Sequence, residues 1–240
     1  MYFHLTTHSA YSLQEGLVSP ADLAQTAYSQ GMYALGLTDH RLLTGSVEFV
    51  AACKQVGIQP ILGLEIDLEQ GPLQLLATSI EGWSNLCRLS SSLMLTVIPE
   101  AICSLGILDT YAKELIALSN IHIEELKPIF QDRLYVSLQD PSDANRLSAL
   151  AHKLKLPTVA THPVYFLSPD QARLQKTLTA IRLNQQLKDV PSTALAPVDA
   201  YFMSGKDIGV RFRDFPEALA APAEIAVRVF CNRAWSGERK

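Results

Sequence analysis

The sequence lacks the excess of positive charge with which a protein grips the phosphate backbone of nucleic acid. Lys and Arg number 20 against 24 Asp and Glu, and the formal net charge is −4. Aromatic residues make up only 8% of the chain, which does not suggest a platform for stacking single-stranded bases. The chain therefore has no strong nucleic-acid footprint of its own, and any such contact is expected to be local or supplied by a partner.

Cysteines and long apolar runs are also scarce. The four cysteines, Cys53, Cys87, Cys103 and Cys231, include no CxxC pair, which argues against a thiolate metal cluster and is typical of reduced thiols in a cytosolic protein. The first 20 residues show no basic stretch followed by an apolar run, and no run of 18 apolar residues occurs. We therefore expect neither a signal peptide nor a membrane span, and a cytoplasmic location.

Several catalytic motifs are missing as well. The chain has no Gly-x-Ser-x-Gly elbow, no Walker loop and no GxGxxG following a strand, which argues against a serine hydrolase, a P-loop nucleotidase and a dinucleotide-binding enzyme. What the chain does contain is 48% hydrophobic and only 18% charged residues. This composition predicts a large ordered core in one α/β domain, with or without an appendage.

Strand-like and helix-like segments alternate for about 180 residues, which is typical of βα units and predicts a mainly parallel sheet or barrel. Strands are predicted at residues 2–7, 34–38, 59–68, 73–77, 115–118, 134–138 and 157–161. Helices are predicted from Ser19-Pro20 to Gly31, over residues 46–56 before Gly57, over 81–94, over 142–154, and as one or two short helices within 95–113.

These segments amount to about seven βα repeats. After Asp170 the pattern predicts a long helix to about Leu187, a loop, and two short helices within residues 205–232. We therefore expect an α/β fold consisting of a barrel over residues 1–187. A loop and helical C-terminal extension over residues 188–240 would pack on it.

Polar residues of metal-ligand type follow the first predicted strands. His8 ends the first strand, Glu15 lies in the next turn, His40 ends the second strand and Glu65 lies in the third. Barrels of alternating strands and helices build their sites at the mouth where strands end. A hydrolytic metal site uses about three protein ligands and an open position for water, so these four are candidates.

The chain resembles the PHP (polymerase and histidinol phosphatase) domain of bacterial DNA polymerase III alpha subunits. The matching segments are residues 8–16, 34–40, 45–49, 57–65, 81–90, 135–140, 157–161 and 215–219. The resemblance implies a distorted (βα)7 TIM-like barrel with a metal cluster at its mouth. The polymerase palm, fingers and thumb of that family have no counterpart in this sequence.

The resemblance also assigns roles position by position. It implies that His8, Glu15, His40 and Glu65 fall on metal-ligand positions of the family. Other ligand positions of the family carry Thr6, Pro72, Pro163 and Tyr165, and one further position falls on Ile121 or its neighbour His122. We therefore expect no firmly bound cofactor, with zinc or manganese as the candidate metals at an incompletely ligated site.

Three further residues have a structural alternative beside the functional one. His162 follows a strand and could substitute as a ligand, although a loop histidine satisfied by hydrogen bonds is the favoured interpretation beside Pro163. Asp39 is expected to support neighbouring groups rather than to bind metal. His4 is expected to be a half-buried packing residue.

Two hypotheses remain open. The first is a degenerate PHP domain with a structural or docking role in DNA replication. Its partners would be the remaining polymerase domains or a replicase subunit such as a proofreading exonuclease. The second is a metal-dependent phosphoesterase or 3′→5′ exonuclease on the same barrel. The lost ligand positions favour the first, and the four surviving candidates motivate the second.

Overall fold

A mixed, curled sheet of six strands lies at the centre of the fold. The computed structural model describes residues 2–95 and 102–229. The strands lie side by side in chain order: β1 (Ala34–Leu37), β2 (Gln59–Leu68), β3 (Gly71–Ala77), β4 (Leu115–Ser119), β5 (Leu134–Leu138) and β6 (Thr158–Ala160). The pairs β1–β2, β4–β5 and β5–β6 are parallel, as the alternating pattern predicts.

The prediction of successive βα units fails at β3, which is antiparallel to both β2 and β4. Only Glu69 and Gln70 separate β2 from β3. A connection this short can join antiparallel neighbours only, because a parallel crossover needs a dozen or more residues. The absence of any helical segment between the two strands was therefore the available signal.

Nine α-helices occur within the described residues. They are α1 (Pro20–Ser29), α2 (Ser46–Val56), α3 (Ile80–Met94), α4 (Leu105–Tyr111), α5 (Ile123–Phe130), α6 (Pro141–Leu154), α7 (Ala172–Arg182), α8 (Gly205–Arg211) and α9 (Pro216–Arg228). Two predicted helix boundaries are confirmed by their caps. The Ser19 hydroxyl accepts the Asp22 backbone N–H at 3.1 Å, and Gly57 ends α2 in the left-handed region at φ 81°.

Other boundaries differ from the prediction. Helix α7 ends at Arg182 instead of near Leu187, and Asn184 just beyond it has a φ of 50° that a continuing helix does not allow. The uncertain stretch 95–113 contains α4. The rest of that prediction falls partly on residues 96–101, which lie outside the described residues, as do residues 230–232 of the predicted tail helices.

Residues 2–8 do not form a strand of the sheet as predicted, but they run in extended form between β1 and residues 162–164. On one side the Gly36 N–H donates to the His4 carbonyl at 2.8 Å. On the other side the His8 N–H donates to the Val164 carbonyl at 2.8 Å. Gly36 makes this approach possible, because a Cβ there would lie 2.2 Å from the Leu5 carbonyl oxygen.

The buried core has two parts. One lies around β3, β4 and β5 and includes Leu75, Leu86 and Phe130. The other surrounds residues 2–8, β1, α1 and α2, and includes Phe3 and Phe49. Helix α9 packs against β6. Within the described ranges, every helix is too short or too polar to cross a membrane.

Candidate functional site

A cavity of about 320 Å³ opens next to the end of β1 and the middle of β2. Its walls combine acidic and basic side chains with a loop that follows α7. The lining includes Glu15, His40, Glu65, Asp67, Tyr165, Arg182 and residues 194–197. Three of the four predicted ligand residues thus share one cavity, and the fourth, His8, is buried beside Glu65.

Asp39 holds the loop that carries Glu15 in place. The Asp39 carboxylate is buried and accepts three hydrogen bonds: from the Ser9 N–H at 2.6 Å, the Ser9 hydroxyl at 2.7 Å and the Ser12 hydroxyl at 2.8 Å. Ser12 also accepts the His40 N–H at 3.0 Å. Asp39 therefore supports both neighbouring candidates, although no described contact gives it a place in the cavity wall.

His8 and Glu65 form a buried pair. The His8 Nε2 atom lies 3.2 Å from the Glu65 Oε2 atom, without the alignment of a hydrogen bond. The Tyr165 ring stacks on the His8 ring with centroids 4.1 Å apart, and Gln74 donates to Glu65 at 2.7 Å. Burial opposes the charged imidazole, but the Glu65 carboxylate outweighs it, so the pKa of His8 is raised.

His40 bridges two carboxylates. Its Nδ1 lies 3.0 Å from both oxygens of Glu15, and its Nε2 lies 2.8 Å from Asp67 Oδ2. An imidazole that donates from both nitrogens is protonated. Burial disfavours that charge, yet the hydrogen bonds to Asp67 and Glu15 raise the pKa of His40 to about 10.

Two arginines complete the cluster. Arg41 donates to Asp67 Oδ2 from Nε at 2.8 Å and from a terminal nitrogen at 2.5 Å. Arg182 donates to Glu15 Oε1. Arg41 has a φ of 62°, and hydrogen bonds to Glu65 and from Ser90 hold this backbone. Conformations of this kind, rare for residues other than glycine, often occur at functional sites.

The sequence prediction missed Asp67, Arg41 and Arg182. Asp67 could have been found, because it stands two residues after Glu65 in β2 and side chains at that spacing share one face of a strand. Arg41 could also have been considered, because it directly follows the candidate ligand His40. Arg182 is 167 residues from Glu15, so no local pattern links the two.

The structure also places Glu65 and the two histidines His162 and His4. Glu65 lies within β2. His162 Nε2 donates to the Tyr201 carbonyl at 3.0 Å, whereas its buried Nδ1 has no hydrogen-bond partner in the described structure. His4 is fully buried, not half-buried, and its Nε2 donates to the Met203 carbonyl at 2.8 Å.

The donors present do not fit a metal ion in this arrangement. Among residues 2–95 and 102–229, no group of three or more His, Cys, Asp or Glu is placed to hold one. Glu15 and Asp67 are each paired with an arginine and with His40. His8 and Glu65 supply two donors, fewer than the three that hydrolytic zinc sites use.

The family model that describes the PHP domain matches residues 4–152. The error-prone DNA polymerase of Symbiobacterium thermophilum is 31% identical, with 95% of this chain and 25% of that protein aligned. The DNA polymerase III subunit alpha of Bacillus subtilis is 28% identical, with 94% of this chain and 23% of that protein aligned. The chain thus spans about a quarter of the length of these curated relatives.

Two solved structures also align. An amidohydrolase from Chromobacterium violaceum is 16% identical, covers 69% of this chain and 88% of its own, and has a TM-score of 0.49. A Bifidobacterium adolescentis protein described as a metal-dependent phosphoesterase is 11% identical, covers 66% of this chain and 86% of its own, and has the same TM-score of 0.49.

Proposed function

Because this chain belongs to the PHP domain family, with homologues among DNA polymerase III alpha subunits, we propose that it acts as a non-catalytic structural and docking module in DNA replication. One observation carries the proposal. Two of the carboxylates that could bind a metal, Glu15 and Asp67, are neutralised by Arg41, His40 and Arg182. These ion pairs connect separate segments of the chain, and they occupy two of the carboxylates that a hydrolytic metal would need.

We also propose the fuller description of the fold as a distorted (βα)7 barrel over residues 1–187. Residues 2–8 would act as the remaining strand, and their hydrogen bonds to β1 and to Val164 support this role. Residues 188–240 would form the extension, in which α9 lies against β6.

The proposed partners are the remaining domains of an alpha-type polymerase or a replicase subunit such as a proofreading exonuclease, in the cytoplasm. Homology to alpha subunits supports the first, since this chain spans only about a quarter of their length. Calorimetric titration of the purified chain with each purified partner tests docking. Saturable binding to one of them is the expected result, and heats equal to dilution for both would contradict it.

A second candidate function is a metal-dependent phosphoesterase or 3′→5′ exonuclease. The observation in its favour is that both ring nitrogens of His8 are buried without a hydrogen-bond partner beside Glu65. Hydrolysis of a phosphodiester or a labelled oligonucleotide, stimulated by manganese or zinc, would support this candidate. The absence of any metal-stimulated hydrolysis is expected from the non-catalytic module.

We predict that the chain purifies with less than one equivalent of zinc or manganese. Losing even a supporting group of a metal site typically lowers affinity about 10–100-fold, and here whole ligands are replaced. Elemental analysis of protein made without a histidine tag checks this expectation. Two or three ions per chain would contradict both the prediction and the proposed function.

We further predict that restoring the lost ligand positions creates metal binding. The triple variant Thr6→His, Pro163→Asp and Tyr165→His adds donors near His8 and Glu65, whose side chains form no ion pair with an arginine in the described structure. Bound water at such a site can reach a pKa of about 7. The variant should take up zinc or manganese and hydrolyse a phosphodiester faster than the parent.

Thermal melts must accompany this assay, because replacing the buried Tyr165 ring can cost a few kcal/mol through a cavity. The single variant Tyr165→Phe is the matched control, since it keeps the stacked ring and adds no donor. A folded triple variant without metal would show that the mouth cannot be reopened by ligands alone.

A further inference from the structure

The side chain of Arg182, at the end of α7, contacts Glu15 in the loop between residue 8 and α1. Arg182 donates to Glu15 and lies 3.5 Å from the Ala194 carbonyl, so it joins that loop to the segment that lines the cavity. Its side chain is 31% exposed and that of Glu15 only 12%. The pair is therefore placed at the rim, with the anion on the inner side.

The three carboxylates of the cavity need nearby positive charge to balance their repulsion. Glu15, Glu65 and Asp67 line the same cavity, and carboxylates that share a site repel each other unless cations intervene. Divalent metal ions supply that charge in hydrolytic sites. The guanidinium group of an arginine supplies this positive charge permanently, because arginine does not lose its proton in proteins.

Arg182 and Arg41 divide this task. Arg41, which directly follows His40 in the chain, donates to Asp67 through two nitrogens. Arg182 contacts Glu15 and comes from a distant helix. Removing Arg182 takes the guanidinium away from Glu15, which keeps its contact with His40, and leaves the pairing of Asp67 intact, so the contributions of the two arginines can be separated.

We propose that the Arg182 guanidinium is a built-in cation that takes the place of a divalent metal ion at Glu15. This inference rests on the proposed non-catalytic function, because it explains how the acidic mouth stays folded without metal. Its consequence is specific. Once the guanidinium is gone, a divalent cation becomes able to stabilise the chain.

The experiment is a thermal melt of the full chain with and without an excess of manganese chloride. Arg182→Gln is expected to lower the melting temperature by about 2–4 °C, since the pair is partly exposed. Manganese should restore at least half of this loss. Arg182→Met, which keeps the apolar stem, serves as a second variant if the first does not fold.

Three controls define the effect. Arg182→Lys keeps a positive charge and should show no manganese response. Arg173→Gln makes the same charge change at an exposed position of α7 and should not respond either. The double variant Glu15→Gln with Arg182→Gln should lose the response of the single variant, because the anion that would bind the metal is gone.

The outcomes separate cleanly. The inference is supported if manganese raises the melting temperature of Arg182→Gln or Arg182→Met but not that of the parent or of the three control variants. No response in either Arg182→Gln or Arg182→Met, an equal response in the parent, or a response that survives the Glu15 substitution would each overturn it. Metal-stimulated phosphodiester hydrolysis by the parent would instead contradict the proposed function, and that assay is independent of the melting temperatures.

Discussion

Asp39→Ala is expected to destabilise the chain by about 3–5 kcal/mol. The substitution leaves three buried donors without a partner: the Ser9 N–H, the Ser9 hydroxyl and the Ser12 hydroxyl. Each unsatisfied buried group costs about 1–3 kcal/mol, and relaxation or water entry recovers part of the sum. Urea unfolding followed by circular dichroism measures the change.

Asp39→Asn separates charge from shape. The amide keeps one acceptor oxygen but turns a donor toward groups that also donate, so we expect a loss smaller than that of alanine but still above about 1 kcal/mol. Asp109→Ala, at an exposed position of α4, is the matched control and should change stability by less than about 0.5 kcal/mol. Equal stability of Asp39→Ala and the control would refute the supporting role of Asp39.

Gly36→Ala is expected to prevent residues 2–8 from docking on β1. A Cβ at this position would lie 2.2 Å from the Leu5 carbonyl oxygen and 2.6 Å from its carbon. Both are backbone atoms, so no side-chain rotation relieves the contact, and the segment must move away with Phe3 and Leu5, which are buried in the core. We expect a loss of more than about 4 kcal/mol, or insoluble protein.

Gly209→Ala provides the control for this change. A Cβ at Gly209 meets no atom within 4 Å, and the residue lies inside α8. Alanine there should be neutral or stabilise the chain by about 0.5–1 kcal/mol. Hydrogen exchange of the Gly36 and Thr38 amides, which donate to the carbonyls of His4 and Thr7, reports whether the segment is docked. Slow exchange in a folded Gly36→Ala variant would contradict the prediction.

Local signals explain which parts of the fold the sequence predicts. The Ser19 cap and the Gly57 stop are fixed by residues within one turn of the helix, so α1 and α2 were predicted within a few residues. The antiparallel strand β3 was misjudged, because the alternating pattern was extended across a two-residue connection that cannot hold a crossover.

Some residues of the candidate site can also be predicted from the sequence, and others cannot. His8, His40 and Glu65 were grouped from their positions along neighbouring strands, and the structure places them close together. The partners that determine the chemistry of the site were not predicted. Arg182 reaches Glu15 through the tertiary arrangement of α7 alone, and the stacking of Tyr165 on His8 spans 157 positions of sequence. Contacts of this range leave no trace in local patterns.

The position of residues 2–8 between β1 and residues 162–164 has a consequence for folding during synthesis. These residues are synthesised before their partners, because His4 contacts Met203, a separation of 199 positions, and His8 contacts Val164. Residues 2–8 therefore cannot complete these contacts until the chain has been translated beyond Met203. Long-range closure of this kind slows folding, and until it occurs Phe3 and Leu5 lack the packing that buries them in the folded chain.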